Sequence, residues 1–119
     1  MDKCVILCPE NMLDSSQIKQ VVESTYNIEL TFLPRKSLTI PDEIIVMSFE
    51  LAKNIAYNTS YDLIKFTIQS LLKNLKFDKK KTEIIVEKNG RRSRIVLSYE
   101  LTEEQKQQYV DASIQMLLK

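Results

Sequence analysis

The chain opens on a short, almost unbroken apolar run, Lys3-Cys-Val-Ile-Leu-Cys8, closed by Pro9. A run this short suits a strand buried on both faces better than a helix, which needs more length. Asp14 and Gln17 then give a capping-box-like start, and Ile18, Val21, Val22 and Tyr26 follow at helical spacing. The spacing predicts a helix from about Ser15 to Ser24. Between Asn27 and Pro34 the pattern switches to alternation, with Ile28, Leu30 and Phe32 on one face, which predicts a second strand. Strand, helix and strand within so short a stretch is the spacing of a right-handed βαβ unit, with the two strands parallel.

The segment after Thr39-Ile-Pro-Asp-Glu43 reads two ways. Proline in a first turn with acids behind it is a helix-start signature, and Ile44, Ile45, Phe49, Ala52 and Ala56 continue a helical stripe. Glu43 to Met47 taken alone fits a strand, because Ile-Ile-Val is β-branched. The longer stripe favours the helix. Asn58 to Asp62 breaks the pattern, and Leu63, Ile64, Thr67, Ile68, Leu71, Leu72 and Leu75 then form a clear apolar helical face, predicting a helix over Ser60–Leu75. Asn89-Gly90 is a strong two-residue hairpin signal, because a type I′ turn needs positive φ at both central positions. It fixes a register pairing Lys88 with Arg91, Glu87 with Arg92, Val86 with Ser93, Ile85 with Arg94 and Ile84 with Ile95. Ile84, Val86, Ile95 and Leu97 then share the apolar face. Thr102 and Gln105 form a capping box ahead of Val110, Ile114, Leu117 and Leu118, the last helix. The sum is a single α/β (α+β) domain over residues 1–119: a small mixed sheet of about four strands, including the hairpin, packed with three to four helices.

Composition narrows the chemistry. The 119 residues contain no histidine, which removes His-based triads, bases and metal ligands. The single glycine, Gly90, cannot build a phosphate-cradling loop or a dinucleotide fingerprint. Cys4 and Cys8, spaced along one strand, would sit about 13 Å apart. A disulfide needs Cα atoms within about 7 Å, so both read as small buried hydrophobes in a reducing cytoplasm. No stretch is long and apolar enough to span a bilayer, and the N-terminus lacks the form of a secretory signal, so the expected location is the cytoplasm, without membrane contact. The acidic pairs Asp42–Glu43 and Glu103–Glu104 fall at expected helix starts, where the macrodipole favours negative charge. No catalytic residue, metal set or cofactor is therefore expected.

Charge is uneven although the net value is +1. Residues 73–94 hold nine basic against three acidic side chains. Lys79, Lys80, Lys81, Arg91, Arg92 and Arg94 could contact a polyanion or a partner protein, and nucleic acid is the alternative ligand. The stretch has one aromatic residue, Phe77, which gives single-stranded bases little to stack on. Tyr57 and Tyr61, spaced i, i+4 at the break before the long helix, are candidate interface aromatics. They or an unpaired sheet edge could also support a homo-oligomer.

Ile40-Pro41 before an apolar helix, the amphipathic helix to Leu75 and the Lys88-Asn-Gly-Arg91 hairpin, in that order, resemble the small effector-associated adaptor domains of bacterial conflict systems. The resemblance spans most of the chain and implies non-enzymatic coupling of a partner to an effector. The chain departs from the usual pattern in being poor in glycine and rich in lysine and isoleucine, and no functional residue transfers from it. The expectation is a bacterial interaction module that works by binding another protein.

Overall fold

The computed structural model describes residues 2–8, 15–34, 44–74, 81–98 and 100–119. Its elements run β1 (Lys3–Cys8), α1 (Ser15–Tyr26), β2 (Glu29–Pro34), β3 (Ile44–Glu50), α2 (Tyr57–Asn74), β4 (Lys81–Lys88), β5 (Arg91–Ser98) and α3 (Glu103–Leu118). The strands form one mixed sheet in the order β2-β1-β3-β4-β5. β1 pairs parallel with β2, as expected, and antiparallel with β3. β3 pairs parallel with β4, and the β4–β5 hairpin has the register the Asn89-Gly90 turn predicts. Asn89 and Gly90 have φ of 48° and 89°, the positive values a type I′ turn demands.

Two βαβ units, β1-α1-β2 and β3-α2-β4, lie back to back with β1 against β3. A half-turn in the plane of the sheet relates them, so crossovers of the same hand bring both helices to one face. α2 packs between α1 and α3. That face is the core: Cys4, Ile6, Leu30, Ile45, Met47, Phe49, Ile84, Val86, Ile95 and Leu97 meet Ile18 and Val22 of α1, Ile64, Ile68 and Leu71 of α2, and Val110, Ile114 and Leu117 of α3. Each of these is essentially removed from water, which stabilises the fold by roughly 1.5–3 kcal/mol per large aliphatic side chain.

Two expectations change. Residues 44–50 are a strand, so the described residues form a five-stranded sheet packed with three helices, the expected α+β fold with one strand more. β3 sits between β1 and β4, and its Ile45, Met47 and Phe49 face the helices while Ile44, Val46 and Ser48 face the other way. A central strand with apolar residues on both faces shows no alternation, and Phe49, Ala52 and Ala56 fall at helical spacing by coincidence. β1 is the second correction: among the described residues helices cover only one of its faces, and Val5 and Leu7 on the other are half-buried. α1 extends to Tyr26, and α2 begins at Tyr57, before the expected Ser60. The expected caps at Asp14 and the acidic pair Asp42–Glu43 lie outside the described residues.

Candidate interaction surfaces

Among the described residues no helix lies on the face of the sheet opposite the core. Strand register arranges its residues in rows that cross all five strands. Leu33, Leu7, Val46, Ile85 and Arg94 are successive neighbours, and Thr31, Val5, Ser48, Glu87 and Arg92 form the adjacent row. Leu33 is 44% exposed, and Leu7, Val46 and Ile85 are shielded only in part. One row of this face is therefore apolar from β2 to β4, the adjacent row is largely polar, and charge gathers on β4 and β5.

The candidate cations divide. Arg92 Nε donates to Glu87 Oε1 over 2.9 Å, the cross-strand pair that the register sets opposite each other. Arg94 reaches diagonally to Glu83, whose carboxylate is largely shielded by the sheet. Both arginines are thus matched by β4 carboxylates. Arg91, beside the turn, is exposed. Lys81 opens β4, while Lys79 and Lys80 lie outside the described residues.

Tyr57 and Tyr61 lie together in the first turns of α2, instead of flanking a break between helices. Their rings stack with centroids 6.2 Å apart, and Tyr57 is half exposed. Tyr61 is committed elsewhere: its hydroxyl donates to Asp111 Oδ1 on α3 over 2.7 Å. Lys65 Nζ sits 3.0 Å from the same oxygen and 5.8 Å from the centre of the Tyr61 ring. Burial, and next the bond to Asp111, push the Tyr61 phenol up to about 12. Burial works to raise Asp111, but the bonds from Tyr61 and Lys65 outweigh it and hold the carboxyl below its usual range. A phenol kept protonated and a carboxylate kept ionised form a tie between α2 and α3 and not an acid–base pair near neutrality.

Other features are chemically quiet. Burial raises the Cys4 thiol, so the thiolate needed for nucleophilic attack is suppressed, and Cys8, also buried, lies further along the same strand and forms no disulfide with it. Glu103 and Glu104 occupy the first turn of α3, beside the capping box of Thr102 and Gln105. A groove of about 540 Å³ between α1 and α2 is lined by Ile18, Val21 and Phe66 with Gln17, Gln69 and Lys73. Among the described residues no three cysteines or carboxylates come together as a metal-binding set, and no helix is long and apolar enough to cross a membrane.

Comparison with protein-family models, with curated proteins and with solved structures gives no match. The surface that sequence reasoning missed is the row of Leu7, Val46 and Ile85. Its signal was present: β1 and β3 are apolar at successive positions, more than one helical layer can cover.

Proposed function

We propose that this chain is a non-enzymatic interaction module of the cytoplasm, an adaptor that docks another protein on the open face of its sheet. The observation that carries the reading is the row Leu33–Leu7–Val46–Ile85, neighbours on adjacent strands with no helix above them among the described residues. A contiguous apolar strip beside charged groups marks a docking surface in a folded protein. A partner that lays an apolar ridge over it turns a two-layer domain into three layers. The suppressed Cys4 thiol and the absence of histidine from the sequence favour binding over catalysis. The resemblance to effector-associated adaptor domains supports an accessory role in a bacterial defence system.

The test is quantitative capture from host lysate with wild type, Val46→Lys and Tyr57→Ala, each first checked for native circular dichroism. One protein retained in stoichiometric amount by wild type and Tyr57→Ala, and lost with Val46→Lys, is the expected result. Equal retention by Val46→Lys rejects the open face as the docking surface. Nucleic-acid binding through Lys79, Lys80, Lys81, Arg91, Arg92 and Arg94 has weaker support, because Glu87 and Glu83 already neutralise two of these cations. Full-chain protein that shifts a duplex probe at low salt, and releases it as salt rises, would restore that alternative.

A further inference from the structure

The two edges of the sheet are finished differently. On β2, the outward backbone of Leu30 is capped from α1: its N–H donates to Glu23 Oε2 over 2.8 Å, and its carbonyl accepts from Lys19 Nζ over 2.8 Å. The same strand ends in Pro34, which has no N–H to offer. Among the described residues no side chain caps the outward backbone of β5 in this way. It is eight residues long without proline, and among the described residues its one ladder partner is β4. A two-residue type I′ turn makes Lys88 and Arg91 a hydrogen-bonded pair, so Arg91, Ser93, Ile95 and Leu97 bond inward. The backbone of Arg92, Arg94 and Val96 therefore points outward. The Ser98 carbonyl is the exception, since it accepts from Leu101 N over 3.2 Å.

α3 adds an apolar stripe to the same flank. Its Val110, Ile114 and Leu117 face the sheet, while Gln107 and Asp111 bond to α2 through Gln69 and Tyr61. At 100° per residue, Tyr109 and Met116 point away from α2. Tyr109 is 48% exposed and Met116 67%. They stand on the β5 side of α3, while Val96, also exposed, projects from β5 onto the opposite face of the sheet.

We propose that this flank is the interface of a two-fold homodimer, in which β5 pairs antiparallel with β5 of a second copy and α3 packs against its counterpart. The surface is self-complementary, which a two-fold contact requires. A register that sets Ile95 opposite its own copy places Arg94 opposite Val96 and Arg92 opposite Ser98. It joins the outward backbone groups of Arg94 and Val96 in hydrogen-bonded pairs and sets no arginine against another. Arginines on an edge strand ordinarily repel such pairing, but here Glu87 and Glu83 hold Arg92 and Arg94 in ion pairs. The helices meet at a matching level. Ser93 touches Ser113, and α3 runs antiparallel to β5, so the axis at Ile95, about 7 Å further along the strand, passes close to Tyr109. Two tyrosine rings then close over the seam, a use of exposed tyrosine common at interfaces. The result is a continuous ten-stranded sheet whose open faces stay free for the partner described above.

The test is sedimentation equilibrium of the full chain at about 100 µM, where an interface of micromolar affinity is assembled. The expected mass is twice the 13.9 kDa of one chain. Tyr109→Lys with Met116→Lys, and separately Val96→Pro, which removes an outward N–H, should both return it to a single chain with unchanged circular dichroism. A single-chain mass for wild type overturns the proposal. So does a doubled mass that survives both variants, or one abolished by Val46→Lys, which would move self-association to the open face.

Discussion

Asn89 shows how much one side chain can fix. Besides taking the left-handed conformation its turn requires, it accepts from Leu51 N and donates from Nδ2 to Leu51 O, each over 3.1 Å, while its own N–H donates to Phe49 O. The amide thereby extends the ladder past the end of β3 and locks the hairpin tip to it. Asn89→Asp keeps the size and the turn preference but loses the Nδ2 donor, and it sets a carboxylate against a carbonyl. It should lower stability by about 1–3 kcal/mol, read as a shift in the urea midpoint. A shift no larger than that of an ordinary surface substitution would show that the clasp contributes nothing. The turn was legible in Asn89-Gly90, but the clasp was not, because its partner Leu51 lies in the segment read as a helix. Tyr61 offers a pH-resolved test. Its pKa is raised on folding, so the stabilisation is full below its unfolded value near 10.0 and is lost as pH climbs towards about 12. The wild-type advantage in urea midpoint over Tyr61→Phe should therefore hold to about pH 10 and fade above it. An advantage independent of pH through that window would contradict the assignment.

At the level of elements, the legible ones are those whose neighbours in sequence supply their signal. The hairpin register follows from two turn residues and was recovered pair for pair. The start of α3 follows from Thr102, whose side chain accepts from Gln105 N over 3.1 Å while Gln105 Oε1 accepts from Thr102 N over 2.9 Å. Thr102→Ala removes half of this exchange and should destabilise by about 1 kcal/mol, with faster amide exchange confined to the first turn of α3. Faster exchange across the whole helix would instead mean that the cap holds the tertiary contact with β5. β3 obeys a different rule. Its strand conformation is decided by β1 and β4, far away in sequence, and its own residues carry β-branching without alternation. Local pattern cannot outweigh that, because the apolar demand on each face of a central strand is set by what covers the sheet.

The whole molecule raises the question of why a sheet with one helical layer keeps apolar side chains on both faces. Helices on one side explain Ile45, Met47 and Phe49, but not Val46, which faces the other way between Leu7 and Ile85. Partial shielding by neighbouring strands is not a dry core, so Val46 should contribute far less to folding than its neighbour Ile45, which is fully buried. Ile45→Ala leaves a cavity in the core and should cost about 2–5 kcal/mol. Val46→Ala should cost under about 1 kcal/mol, near the range of surface substitutions. The comparison is internal: both sites lie on the same central strand, so differences in β-propensity and strand position largely cancel in the two urea midpoints. A Val46→Ala cost rivalling that of Ile45→Ala would mean that the purified protein already covers this face. The vacancy offered to a partner would then not exist. If the costs separate as expected, the apolar row adds little to the fold that carries it, as the proposed docking surface requires.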